Sequence, residues 1–120
     1  MGDYKKLKVW QRSREFAGQV YIVTQKFPDN ERYGLIAQMR RAAVSVMSNL
    51  AEGSGRDSDR ELIRSARISM GSAMELESNL ILAADLQFAD PTSLAALQRE
   101  TGVIRRMLGR LILRLQDGGA

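Results

Sequence analysis

Two long segments of this chain place apolar or small side chains at intervals alternating between four and three. Leu62, Ala66, Ser69, Ala73, Leu76, Leu80 and Ala83 form one series, and Leu94, Leu97, Thr101, Ile104, Leu108, Leu111 and Leu115 form the other. A mean interval of about 3.5 residues keeps one helix face against a neighbour over many turns. Both segments are therefore expected to be helices packed along a seam. The first seam is thin and the second is bulky, so the two complement each other in volume. Both have start signals. Ser58-Asp59-Arg60-Glu61 matches the capping box, in which serine and a glutamate three residues on satisfy each other's backbone donors. Asp90-Pro91 places aspartate at a cap and proline at the first helical position.

The stretch Gln38–Arg56, QMRRAAVSVMSNLAEGSGR, reads as a helix of another kind. On a wheel at about 100° per residue, Gln38, Arg41, Ser45, Ser48, Asn49 and Glu52 fall in a narrow polar stripe. Leu35, Ile36, Met39, Ala42, Ala43, Val44, Val46, Met47 and Leu50 cover roughly twice that arc, with Arg40 alone among them. A surface helix needs an apolar stripe little wider than about 100°. This helix is therefore expected to be buried on two sides, by its own bundle and by a partner subunit. Gly53 and Gly55 are expected to end it through left-handed backbone. Glu52 opposes the helix dipole near that end, and Arg56 four residues on offsets it.

Ahead of it, Leu7, Trp10, Ala17, Val20, Val23 (or Thr24) and Phe27 recur at helical spacing until Pro28 stops the run. Asp29 and Asn30 are cap candidates for the second helix, with Glu31 in its first turn. Gly34 lies near that start, where a glycine costs less than in mid-helix. The expected architecture is all-α, one domain over residues 1–120 with helices at about 4–26, 31–53, 59–87 and 91–116 and a frayed tail from Gly118 to Ala120. Short connections favour an antiparallel up-down-up-down four-helix bundle. Ile22, Ile36, Val44, Met47, Met70, Met74, Ile81, Val103, Met107 and Ile112 are left over from the seams, and that surplus points to a homo-oligomer. Gly71 has two readings: close approach of another helix, which is favoured, or a tolerated surface glycine.

The chain contains no cysteine and no histidine. Disulfides, thiolate metal sites and thiol catalysis are excluded, and the commonest general acid–base and transition-metal ligand are missing. Ser45, Ser48 and Ser72 have no histidine to activate them, and all four lysines lie at 5, 6, 8 and 26. Glu75 and Glu77, two apart on a helix, do not face each other. Gly53-Ser54-Gly55-Arg56 is too short for a phosphate-binding P-loop and no lysine follows it. A non-enzymatic protein with no cofactor and no metal is the expectation. No apolar run approaches the roughly 18 residues of a membrane span, no signal peptide is evident, and absent cysteine fits a reducing cytoplasm.

The net charge is +4 and unevenly spread. Residues 1–28 carry six basic and two acidic side chains, whereas residues 57–90 carry three and seven. Such a polarised surface attracts nucleic acid or lets subunits pair. Arg40-Arg41 is one candidate pair for phosphate, with pairing to Glu75 or Glu77 on a neighbouring helix as the ordinary alternative. Arg106, Arg110 and Arg114 share one helix face with Arg105 beside them, either as a solvated basic face or as a phosphate-tracking surface. Lys5, Lys6, Lys8 and Arg12 add charge from the first helix, and Arg56 completes the candidate set.

The residues Val9-Trp10-Gln11, Phe27-Pro28, Tyr33-Gly34-Leu35, Arg40-Arg41-Ala42-Ala43-Val44-Ser45, Ser48-Asn49, Ala51-Glu52-Gly53 and Gly55-Arg56 resemble the four-helix bundle proteins called 23S rRNA intervening-sequence proteins. Gly71-Ser72-Ala73 and Glu75-Leu76-Glu77 extend the match into the third helix, while the fourth matches only in general pattern. The resemblance implies a cytosolic up-down four-helix bundle that assembles as a ring-shaped homopentamer. It also implies kinship with the accessory proteins of diversity-generating retroelements, basic pentamers that bind a reverse transcriptase and nucleic acid. The expected function is structured-RNA binding through repeated basic surfaces. The competing class is a protein-interaction scaffold.

Overall fold

Residues 3–56 and 58–118 are described by the structure, a computed structural model. Among them lie four α-helices and no strand: α1 (Lys8–Thr24), α2 (Leu35–Ser54), α3 (Asp59–Asp85) and α4 (Pro91–Gln116). Short 3-10 turns at Tyr4–Lys6 and Asp29–Glu31 precede α1 and α2.

The alternating seams lie where their spacing puts them. Every member of the α3 series is buried, as are the α4 positions from Leu94 to Leu111, with Leu115 half-buried at the end. Both caps form. Ser58 Oγ accepts from Glu61 N at 3.2 Å, and the Asp90 carboxylate accepts from Ser93 N at 3.2 Å. Phe16, Val20, Met39, Val46, Leu50, Leu76, Leu80 and Leu108 fill the centre. Each such side chain withdrawn from water contributes about 1.5–3 kcal/mol, set against the entropy of ordering the chain.

Side-chain contacts join each helix to its neighbours. Gly53 of α2 meets Leu62 and Ser65 of α3. Ser69 then donates to the Val46 carbonyl at 2.7 Å, and the Ser45 and Ser72 hydroxyls lie 2.9 Å apart. Glu77 of α3 faces Thr101 and Arg105 of α4, while Leu62 at the start of α3 shares a groove with Leu111 and Leu115. Finally α4 touches α1, so the four helices enclose one core.

Three local expectations are corrected. The first helix does not run from 4: Leu7 is extended (φ −72°, ψ 120°) and separates a 3-10 turn from α1. Asp3 caps that turn through Lys5 N at 3.0 Å, and the Gln11 side chain donates to the Lys5 carbonyl at 2.7 Å, folding the chain back. The second helix starts four residues late. Gly34, at φ −105° and ψ −114°, is its cap in place of Asp29 or Asn30, and Glu31 Oε1 accepts from Leu35 N at 3.1 Å. A Cβ on Gly34 would meet that Glu31 oxygen at 2.9 Å.

The third correction concerns glycines. Gly53 lies inside α2 and Gly55 is right-handed (φ −79°, ψ −8°), so neither supplies a left-handed stop. Gly53 instead serves close approach: a Cβ there would collide with the Ser65 side chain. Gly71, against the expectation of close approach, has nothing within 4 Å of a Cβ and is exposed, a tolerated surface glycine. Asp57 in the α2–α3 loop, and the expected tail beyond Gly118, lie outside the described residues.

Candidate nucleic-acid interface

The break at Leu7 decides which cations meet. The N-terminal 3-10 turn is held against α1 by Gln11 and by Tyr4, whose ring meets Trp10 edge-on at 5.0 Å between centroids. Folded back in this way, Lys6 and Lys8 come beside Arg110 and Arg114 of α4. The four side chains rim one open groove, with Leu7, Val9, Met107 and Leu111 as its apolar floor. Among the described residues none of the four cations has a carboxylate partner.

The other candidate cations are tied up to varying degrees. Arg40 lies across the C-terminal turn of α1. It donates to Thr24 Oγ1 at 2.9 Å and to the Tyr21 carbonyl at 3.3 Å, with its guanidinium 4.5 Å above the Tyr21 ring. It pairs with neither Glu75 nor Glu77. A cation there offsets the negative end of the α1 dipole, so Arg40 is a helix clamp. Arg41, its sequence neighbour, is exposed and separate.

Arg12 forms a two-pronged pair with Glu100 at 2.5 and 3.0 Å. The hydrogen bond to Glu100, and then its charge, hold the Arg12 guanidinium above its ordinary basicity. Arg105 donates to Glu77 at 2.9 Å within the same chain, and Thr101 donates to the other Glu77 oxygen at 3.2 Å. Arg105 is therefore parted from Arg106, which is exposed. Arg56 pairs loosely with Glu52 at 3.7 Å, an exposed contact of little energetic weight. Lys5 stands over the Tyr4 ring at 5.9 Å.

The polar stripe of α2 divides. Asn49 donates to the Ser45 carbonyl at 2.8 Å and to its hydroxyl at 3.0 Å, and Ser45 continues to Ser72, so these two residues join α2 to α3. Gln38, Ser48 and Glu52 stay at the surface.

Sequence reasoning passed over a second set of cations. Arg60, Arg64 and Arg67 line a broad surface groove, beside Leu115 and Gln116 of α4. Their spacing of four and three places them on one face of α3, a signal present in the sequence but masked there by the acidic balance of the segment. Among the described residues, no three Asp, Glu, His or Cys side chains cluster closely enough to hold a metal ion. None of the described helices is long and apolar enough to cross a membrane.

Four helices around one core, with open cationic grooves at one end, define an all-α protein with a charged surface site. Comparison with known proteins sharpens this. The family model described as 23S rRNA-intervening sequence protein matches residues 5–110, and the chain belongs to that family. A crystal structure of a protein of unknown function from the S23 ribosomal protein family of Bacteroides thetaiotaomicron is similar in fold. It has a TM-score of 0.77 and 20% identity over 87% of this chain and 97% of that one. Curated proteins give no match.

Proposed function

We propose that this protein is a non-enzymatic, cytoplasmic accessory factor that binds structured RNA through repeated basic grooves. The observation that carries the reading is the groove of Lys6, Lys8, Arg110 and Arg114, four exposed cations with no acid partner among the described residues. Phosphate would replace the water and counterions held there, and counterion release drives such binding. The descending register of the helix contacts supports an antiparallel up-down-up-down bundle as the working unit. Exposed Ile22, Met74, Ile81 and Leu113 support self-association, and the family resemblance favours a ring of five. A ring repeats each groove about an axis, so weak single contacts add up. The same exposed apolar side chains favour, as the second reading, a scaffold for a protein partner such as a reverse transcriptase.

The test is fluorescence anisotropy with a folded rRNA fragment at low and physiological salt. Micromolar binding that weakens linearly in log–log salt is expected, with the slope reduced by about two in Lys6→Glu/Arg110→Glu. Absence of binding at low salt, where electrostatics are strongest, would leave only the scaffold reading.

A further inference from the structure

Resting on that reading, we infer that the RNA bound is a duplex read by its backbone, and that Arg60, Arg64 and Arg67 of α3 form a second row of phosphate contacts. Arg60 and Arg67 are exposed and have no acid partner among the described residues. Arg64 meets only Glu61, at 4.0 Å, with its side chain 76% exposed. A contact so loose and solvated yields readily to a phosphate.

The two rows are parts of one surface. A third, small groove between them is lined by Lys6 and Arg114 from the first row, and by Leu115, which also borders the second. Cations therefore flank the C-terminal turns of α4 on both sides, with apolar Leu111 and Leu115 between. Asp3, Asp59 and Glu61 also lie in these grooves. They cap the N-terminal 3-10 turn or fill the first turn of α3, and they break the cationic surface into separate strips. Two cationic strips with a gap suit two phosphate strands.

The side chains lining both grooves tell against reading bases. None is aromatic, so no platform exists on which unpaired bases stack. Asparagine is absent from both, and the single amide is Gln116. Duplex RNA is recognised mainly through phosphates and shape, because its base edges are poorly accessible in the deep groove. Such a surface binds without sequence preference.

The experiment titrates the full chain against a 20-base-pair RNA hairpin, its scrambled-sequence counterpart and a single strand of equal length. The expected result is equal affinity for both hairpins and at least tenfold weaker binding of the single strand. Arg60→Glu/Arg67→Glu is expected to lose at least tenfold for the hairpin and about two units of salt slope. Lys26→Glu/Arg99→Glu, with the same change in net charge at other places, is expected to lose less than threefold. Circular dichroism and light scattering check that the variants keep helix content and mass. Single-strand binding as tight as duplex binding would overturn the inference. So would loss in the control equal to loss in Arg60→Glu/Arg67→Glu. Hairpin binding sensitive to Lys6→Glu/Arg110→Glu alone would remove the second row and leave the proposed function standing, whereas no binding of any RNA removes both.

Discussion

Gly53 and Gly71 both lie inside helices, yet their surroundings are opposite. A methyl group at Gly53 would strike the Ser65 side chain and press on Leu62, and the seam between α2 and α3 is too close to give way. Gly53→Ala is expected to lower stability by about 1–3 kcal/mol. Gly71→Ala meets open space and is expected to raise it by up to about 1 kcal/mol, the difference in helix propensity. Urea unfolding at constant m-value checks both. The sequence presents the two residues alike, because closeness between helices is a property of the assembled pair. What was legible was the reason one glycine should sit against a neighbouring helix; which glycine it was could be seen only with α3 laid against α2.

Arg40 belongs to the scale of elements, since its guanidinium joins the end of α1 to the N-terminal part of α2. Arg40→Met keeps the apolar stem and removes the donors. It removes the hydrogen bond to Thr24 Oγ1 and one of three donors to the Tyr21 carbonyl, which keeps Gln25 N and Thr24 Oγ1, and is expected to cost about 0.5–1.5 kcal/mol in thermal or urea unfolding. The salt slope of RNA binding should stay unchanged, because Arg40 has no part in the grooves. A slope reduced by one would return Arg40 to the phosphate contacts. At this scale the long helices were the readable part. The seams from Leu62 to Ala83 and from Leu94 to Leu111 needed only their spacing, and Ser58 and Asp90 marked the starts. The break at Leu7 was hidden, because Tyr4, Lys5 and Lys6 suit a helix as well as a 3-10 turn. Their conformation follows from Gln11 and Trp10, contacts made only once α1 exists. The cationic groove was hidden for the same reason: the residues were readable singly, and their meeting depends on a turn that local propensity does not specify.

For the whole molecule, the question is what covers the apolar side chains the bundle leaves outside. Ile22 is 61% exposed, Met74 and Ile81 are 50% exposed, and Leu113 is 62% exposed. We expect light scattering to give about five times the 13.4 kDa chain mass. Met74→Asp/Ile81→Asp should lower that mass while circular dichroism stays helical. A single-chain mass for the unaltered protein at micromolar concentration would remove the ring. One geometric feature reaches further. Asp3 and Leu115 border the same small groove beside Lys6 and Arg114, while Phe27 and Phe88, from the α1–α2 and α3–α4 connections, meet with ring centroids 5.4 Å apart. The order in which the helices are strung is thus separable from how they pack. A short linker from the last turn of α4 to Asp3, with the chain opened at Gln87–Ala89, would give a rearranged chain with the same helices in the same places. An affinity tag placed at Gln87–Ala89 would stand away from the cations, whereas one joined at Asp3 or Leu115 would stand over them.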